Sequence, residues 1–296
     1  MKKILFSLFL LMGAVCSVST EAQVVKIYKA GAMVYSLADA DSVVFCQKPS
    51  TVLIGRFSVS ADKQVSFSQG NLQYTQSTKT WSFAEHQYDV IGGANVSDGA
   101  LADKIDLFGW SASNTTAPFG ISTSTDNADY AGDFVDWGTN TIGDDAPNTW
   151  RTLTYDEWKY LFMHIRWTIA KVNNVLGFML LPADFTAPSG MTVAILGDGN
   201  MSSNYLNFNE SDYADNQYTA DQFAQFEAQG CVFLPCAGDR FGSYVRSVGS
   251  IGIYWSATPG DSGDARYLGF GSAGAYAGGW NYRYYGQSVR LVQDIK

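Results

Sequence analysis

Apolar and polar positions alternate in short runs along most of the chain and take a helical period in only two places. Residues 24–45 alternate through Val25 and Ile27, pause at Ala30-Gly31, and resume through Val34, Leu37, Val43 and Phe45. This predicts a small β element with a hairpin. Val65 and Phe67, a Ser-Gln-Gly-Asn turn at 68–71, then Leu72 and Tyr74 predict a second hairpin. From 92 to 148 the periodicity is weak and Gly, Asn, Asp, Ser and Thr dominate, with Trp110, Phe119, Phe134 and Trp137 scattered among them. So long a stretch predicts ordered loops packed through isolated aromatics.

The two helices announce themselves by their caps. Thr154-Tyr-Asp-Glu157 is a capping box, Leu153 and Trp158 stand where a hydrophobic staple would, and Trp158, Leu161, Phe162 and Ile165 form one apolar face. Thr219-Ala-Asp-Gln222 repeats the box, Phe223 and Phe226 give the inner face, and Gly230 is a fitting stop. Gly177-Phe-Met-Leu-Leu-Pro182 and Cys231-Val-Phe-Leu-Pro235 read as buried strands, followed by short strands and Gly-rich turns. Two helices among many short strands predict an α+β fold.

Organisation follows from the N-terminus. Lys2 and Lys3, an uncharged and mostly apolar run from Ile4 to Val18, and Thr20-x-Ala22 before Gln23 predict a cleavable secretory signal peptide over 1–22. The run is shorter than the ~18–20 residues of a membrane span, and Val15 before Cys16 fits a lipidation site poorly. A β element and linker over 23–50 precede one domain over 51–296, without a transmembrane span in the mature chain. Cleavage removes two lysines and one glutamate, moving the formal charge from −9 to −10. An acidic chain with no basic run is not a nucleic-acid binder, and 46% hydrophobic and 15% aromatic residues supply a large core. A secreted or cell-surface protein is the expectation.

Catalytic signatures are absent. His86 and His164 are the only histidines, and neither has a metal-spaced partner. The acidic runs at Asp126 to Asp129 and Asp133 to Asp136 lack the spacing of a calcium loop and read as solvated turns, so neither metal nor cofactor is expected. Cys231 and Cys236 bracket an extended run spanning about 16–17 Å, beyond the ~7 Å reach of a disulfide; they read as small buried hydrophobes. The informative stretch is 241–285, where Tyr, Gly and Ser make up about half of the residues and Lys is absent. This is the composition of an antibody paratope: Tyr offers a large amphipathic face with few torsions to freeze, and Ser and Gly offer adaptable contacts. Trp255 and Phe270 sit in well-patterned runs and read as core. Tyr244, Arg246, Tyr267, Ser272, Tyr276, Trp280, Asn281, Tyr282 and Arg283 are the expected contacts, with an unidentified protein or glycan as partner.

At these residues the chain resembles a known group. Gly230-Cys-Val-Phe-Leu-Pro-Cys-Ala-Gly-Asp-Arg240, Gly249-Ser-Ile-Gly-Ile-Tyr-Trp-Ser-Ala257, Ala265-Arg-Tyr-Leu-Gly-Phe270 and Tyr285-Gly-Gln-Ser-Val-Arg-Leu-Val292 are similar to the Fibrobacter succinogenes major paralogous domain. Gly55-Arg-Phe-Ser-Val-Ser60, Phe67-Ser-Gln-Gly-Asn-Leu-Gln-Tyr74 and Trp150-Arg-Thr-Leu-Thr-Tyr-Asp-Glu-Trp158 are similar to large secreted Bacteroidales proteins of that type. The resemblance implies a C-type-lectin-like, sulfatase-modifying-factor-like fold over most of 51–296. It also implies that the segment at about 240–285 corresponds to regions varied by diversity-generating retroelements. The same fold hosts formylglycine-generating enzymes, whose reactive cysteine pair lies after the strand matching Tyr254-Trp255-Ser256. Here the pair precedes that strand and no cysteine follows it, which argues for ligand binding over that oxidase chemistry. A structural subunit of an appendage or envelope is the remaining alternative.

Overall fold

The computed structural model describes residues 50–261 and 263–295 fully, and the strand backbone within 14–38. Lys2, Lys3, the predicted cleavage site at 20–23, and Val43 and Phe45 lie outside the described residues. The chain divides into two compact units, Met1–Pro49 and Ser50–Lys296. The first carries an antiparallel sheet of β1 (Ala14–Ser19), β2 (Val24–Lys29) and β3 (Ala32–Ala38), in that order. β2 and β3 pair antiparallel, and the expected turn at Ala30-Gly31 lies outside the described residues. No helix among the described residues is long and apolar enough to cross a membrane.

The second unit is α+β, mostly short antiparallel strands. It opens with β4 (Phe57–Ser58), β5 (Gln64–Phe67), β6 (Leu72–Thr75) and β7 (Thr80–Phe83). Then come β8 (Lys104–Ile105) and β9 (Arg151–Thr152), α1 (Tyr155–His164), and the pair β10 (Arg166–Val172) and β11 (Val175–Leu181). After β12 (Tyr205–Asn207) and α2 (Ala220–Glu227) the chain runs through β13 (Val232–Pro235), β14 (Asp239–Phe241) and β15 (Tyr244–Arg246). It ends with three longer strands, β16 (Ile251–Pro259), β17 (Asp264–Gly271) and β18 (Gly274–Tyr282), and the short β19 (Leu291–Asp294).

Both helices start where their caps require. Thr154 Oγ1 accepts from the Glu157 N–H at 3.2 Å, and Glu157 Oε2 accepts from the Thr154 N–H at 2.8 Å. Arg151 closes on the same carboxylate with two 2.8 Å bonds, holding the Glu157 carboxyl below its ordinary range despite burial. Thr219 and Gln222 repeat the reciprocal cap. Past α2, Gly230 takes φ 85°, and a Cβ there would lie 2.5 Å from Gly55 Cα, so both backbone and space require glycine.

One expectation fails instructively. Residues 65–67 and 72–74 are strands, but they do not pair with each other. β5 pairs with β19 and β4, whereas β6 pairs with β7 and β8. The Ser-Gln-Gly-Asn segment is a corner between two sheets. On one side of it Ser68 donates to Leu291 O, and on the other Leu72 donates to Val289 O, each at 2.9 Å. Local alternation fixes which face is buried; the partner is chosen by the distant C-terminal strand.

The sheet β12-β18-β17-β16 positions everything that follows, because it is packed on both faces. Consecutive residues point to opposite faces. Tyr254, Leu268, Phe270, Ala275 and Ala277 join the core containing Trp158 of α1. Trp255 and Ala265 join the second core, with Trp110 and Trp137 from the loop region. Buried indoles there find acceptors: Trp110 Nε1 donates to Ser256 O at 2.9 Å and Trp255 Nε1 to Phe108 O at 2.8 Å. The 92–148 region is thus ordered loop hung on aromatics, as its composition predicts. A third core lies between α2 and the β10–β11 pair, whose turn at Asn173-Asn174 has positive φ at both residues.

Candidate functional site

Nine large hydrophobic side chains are exposed among the described residues: Ile54, Ile195, Tyr205, Phe241, Tyr244, Val248, Ile251, Trp280 and Tyr282. Six fall within 241–282, so this segment carries most of these exposed side chains. Tyr244 is 66% exposed, Trp280 57%, Tyr282 47% and Phe241 40%. Both Trp280 and Tyr282 project from one face of the end of β18, two residues apart.

The β14–β15 hairpin and the turn after β18 form one aromatic cluster. Tyr282 and Tyr284 stack with ring centres 5.5 Å apart, Tyr284 and Tyr285 at 5.0 Å, and Phe241 meets Tyr285 at 5.4 Å. Arg246 lies over the Tyr285 ring at 5.3 Å and forms a forked pair with Asp239 at 2.8–3.1 Å. That carboxylate raises the Arg246 guanidinium above its ordinary value. Beneath the hairpin, Arg240 is fully buried and donates to Gly242 O at 2.9 Å. Burial without a carboxylate lowers it to about 10. The patch is therefore anchored from below.

A second arrangement crosses the sheet. Tyr267 of β17 and Tyr276 of β18 bring their hydroxyls to 3.0 Å, and the Tyr205 ring of β12 lies 6.3 Å from that of Tyr276. The rings rest where side chains are missing. A Cβ on Gly279 would sit 2.3 Å from the Tyr267 ring, and one on Gly269 would sit 2.8 Å from Tyr276. Burial and Tyr276 push the Tyr267 hydroxyl well up. Beside this row, Tyr205, Ile251, Ser272 and Tyr276 line a shallow groove of about 220 Å³.

The nine expected contact residues thus separate. Tyr244, Arg246, Ser272, Trp280 and Tyr282 are exposed, while Asn281 is half-buried and accepts the Tyr282 N–H at 3.0 Å. Tyr267 and Tyr276 are half-buried and bonded to each other. Arg283 points inward: its guanidinium lies 4.2 Å from the Trp110 ring centre and donates to the carbonyls of Tyr130, Gly132 and Asp264. Its Nε and Nη1 donors are spent on the fold. Phe241, Tyr284, Tyr285, Val248 and Ile251 escape the sequence reading, although the Tyr284-Tyr285 pair beside Arg283 carries a signal for them.

Elsewhere the titratable groups make local contacts. His86 and His164 are exposed and lie against Tyr88 and Tyr160. Asp136 caps a turn and accepts from Thr152 at 2.9–3.2 Å. Among the described residues no three His, Cys, Asp or Glu side chains gather as a metal site. Cys231 and Cys236 are free and buried, and they face different cores. Desolvation pushes both thiols up, Cys236 to about 12. Compared with protein-family models, curated proteins and solved structures, the chain matches none.

Proposed function

We propose that this chain is an exported or cell-surface ligand-binding protein of C-type-lectin-like fold, its contact surface made by residues 241–285. The observation that carries the reading is the concentration of exposed Tyr, Trp and Phe there, on the β14–β15 hairpin and the end of β18. Monomeric surfaces seldom gather large apolar side chains without a partner to cover them. Aromatic residues are also the side chains that supply most binding energy once desolvated. Tyr244, Arg246, Trp280, Asn281 and Tyr282 form the contact set, flanked by Ser272 and Tyr276 at the groove, with Tyr267 bonded to Tyr276 behind it. Arg283 holds the surface in place from within.

The same segment alternates between a buried frame and an exposed set. Tyr254, Trp255, Leu268 and Phe270 are buried, while Tyr244, Ser272, Trp280 and Tyr282 are not. Exchange of the exposed set leaves the cores intact, which supports diversification by a retroelement. Sequencing the 3′ end of the gene in sibling isolates tests this part; changes confined to exposed positions support it, and changes spread evenly over buried ones oppose it. Ligand binding itself is tested by comparing the full chain with a Trp280→Ser, Tyr282→Ser variant on immobilised protein and glycan arrays.

A further inference from the structure

We infer that the patch of Phe241, Tyr282, Tyr284 and Tyr285 takes a cationic protein segment, seating lysine or arginine side chains on its exposed Phe241 and Tyr282 rings. This rests on the ligand-binding reading above and adds the partner's chemistry. The segment 122–133 runs along the patch and touches it at two points. At the hairpin tip, a Cβ on Gly242 would meet the Thr125 methyl at 3.1 Å. At the turn after β18, Asn127 donates to Gly263 O and accepts the Arg283 N–H at 3.2 Å. This segment carries Asp126 and Asp133, both exposed, and the half-buried Asp129; Asp261 is exposed at the β16–β17 turn.

Carboxylates outnumber cations here, and the cations are occupied. Segments 122–133 and 239–285 hold six aspartates, four arginines and no lysine, within a chain of net charge −9. Arg246 is chelated by Asp239, Arg283 spends its donors on carbonyls, and Arg266 lies over Tyr155 at 5.8 Å. Among the described residues no ion pair engages Asp126, Asp129, Asp133 or Asp261. An aromatic patch neighboured by carboxylates without ion pairs attracts a cation twice, through ring faces and through Coulomb interaction. The chain already holds one guanidinium this way: Arg246, between the Tyr285 ring and the Asp239 carboxylate. An acidic partner meets repulsion instead.

The probe is a fluorescein-labelled (Lys-Gly-Ser)4 peptide, with (Gln-Gly-Ser)4 as its neutral counterpart, titrated with the full chain in low and in moderate salt. The lysine peptide should bind, weaken as salt rises, and exceed the glutamine peptide. Tyr282→Ser with Tyr284→Ser should weaken it about tenfold. Asp126→Asn, Asp129→Asn and Asp261→Asn together should do the same, while Asp62→Asn, Asp98→Asn and Asp184→Asn, with equal charge change elsewhere, should stay within about twofold. Phe241→Ser, at a ring of the patch that is 40% exposed, gives a second aromatic reading and should weaken the lysine peptide likewise. No binding of the lysine peptide at low salt overturns the inference. So does equal loss from the two aspartate triples, or indifference to the tyrosines. If array ligands are lost in the patch variants while the lysine peptide never binds, the ligand-binding reading stands and only the cationic partner falls.

Discussion

The Arg283 guanidinium lies 4.2 Å from the centre of the Trp110 ring, joining the turn after β18 to the loop region 150 residues and more upstream. Three carbonyls complete its shell, and burial lowers its affinity for the proton. An arginine so placed is a tether for the aromatic patch. Arg283→Ala should lower stability by about 2–4 kcal/mol, since it removes a ring contact and several charge-assisted bonds. Lysine, a point charge without a planar fork, should recover less than half of that. Denaturant melts of both variants check it; full rescue by lysine would show that charge alone matters.

Trp255 and Trp280 offer a direct contrast of core with surface. Trp255 is 1% exposed and its indole N–H is bonded, whereas Trp280 is 57% exposed. Trp255→Ala should cost about 3–5 kcal/mol of folding stability. Trp280→Ala should cost about 1 kcal/mol at most. Equal melting losses would contradict the placement of Trp280.

The cysteines should be chemically silent in the folded chain. With the Cys236 thiol pushed to about 12, only about one molecule in ten thousand carries the thiolate at pH 8. Labelling with iodoacetamide followed by peptide mass spectrometry should find Cys231 and Cys236 unmodified until denaturant is added. Rapid modification of either in the native protein would revive a redox role.

Asp106 is fully buried, and desolvation raises its carboxyl to about 6 although Ile91 N–H and Asn95 Nδ2 donate to it at 2.9 and 2.7 Å. Because the folded value lies above the unfolded one, the folded state holds the extra proton. Its contribution is complete below about pH 4 and is lost as the pH rises through about 6. The stability gap between wild type and Asp106→Asn should therefore change between pH 4.5 and 7, falling as the pH rises. A gap independent of pH in that window would exclude the assignment.

Much of this architecture is legible from local chemistry. The helices were written in Thr154-Glu157 and Thr219-Gln222, since a cap depends on residues three apart. Trp255 and Phe270 were readable as core from alternation alone. Pairing was not, because Ser68 and Leu72 are held by Leu291 and Val289, each more than 200 residues away. The Asn173-Asn174 turn carried a hairpin signal between β10 and β11 that periodicity alone passes over. Composition pointed to the segment that carries most of the exposed aromatics among the described residues, but not to side-chain direction. Arg283 turns inward because carbonyls and an indole face lie beneath it, and the Tyr267–Tyr276 pair settles onto glycines of neighbouring strands. Those are long-range facts that spacing does not encode.

The surface assignment is tested most directly by binding, with folding held constant. A Phe241→Ser, Tyr244→Ser, Trp280→Ser, Tyr282→Ser variant and the wild-type chain would be applied side by side to immobilised protein and glycan arrays, after their melts are compared. The account predicts that array features bound by the wild type lose at least about tenfold in affinity in the variant, as removal of clustered aromatic anchors should cause. Retention of those features by a folded variant, or a wild-type chain that binds none of them, would contradict it.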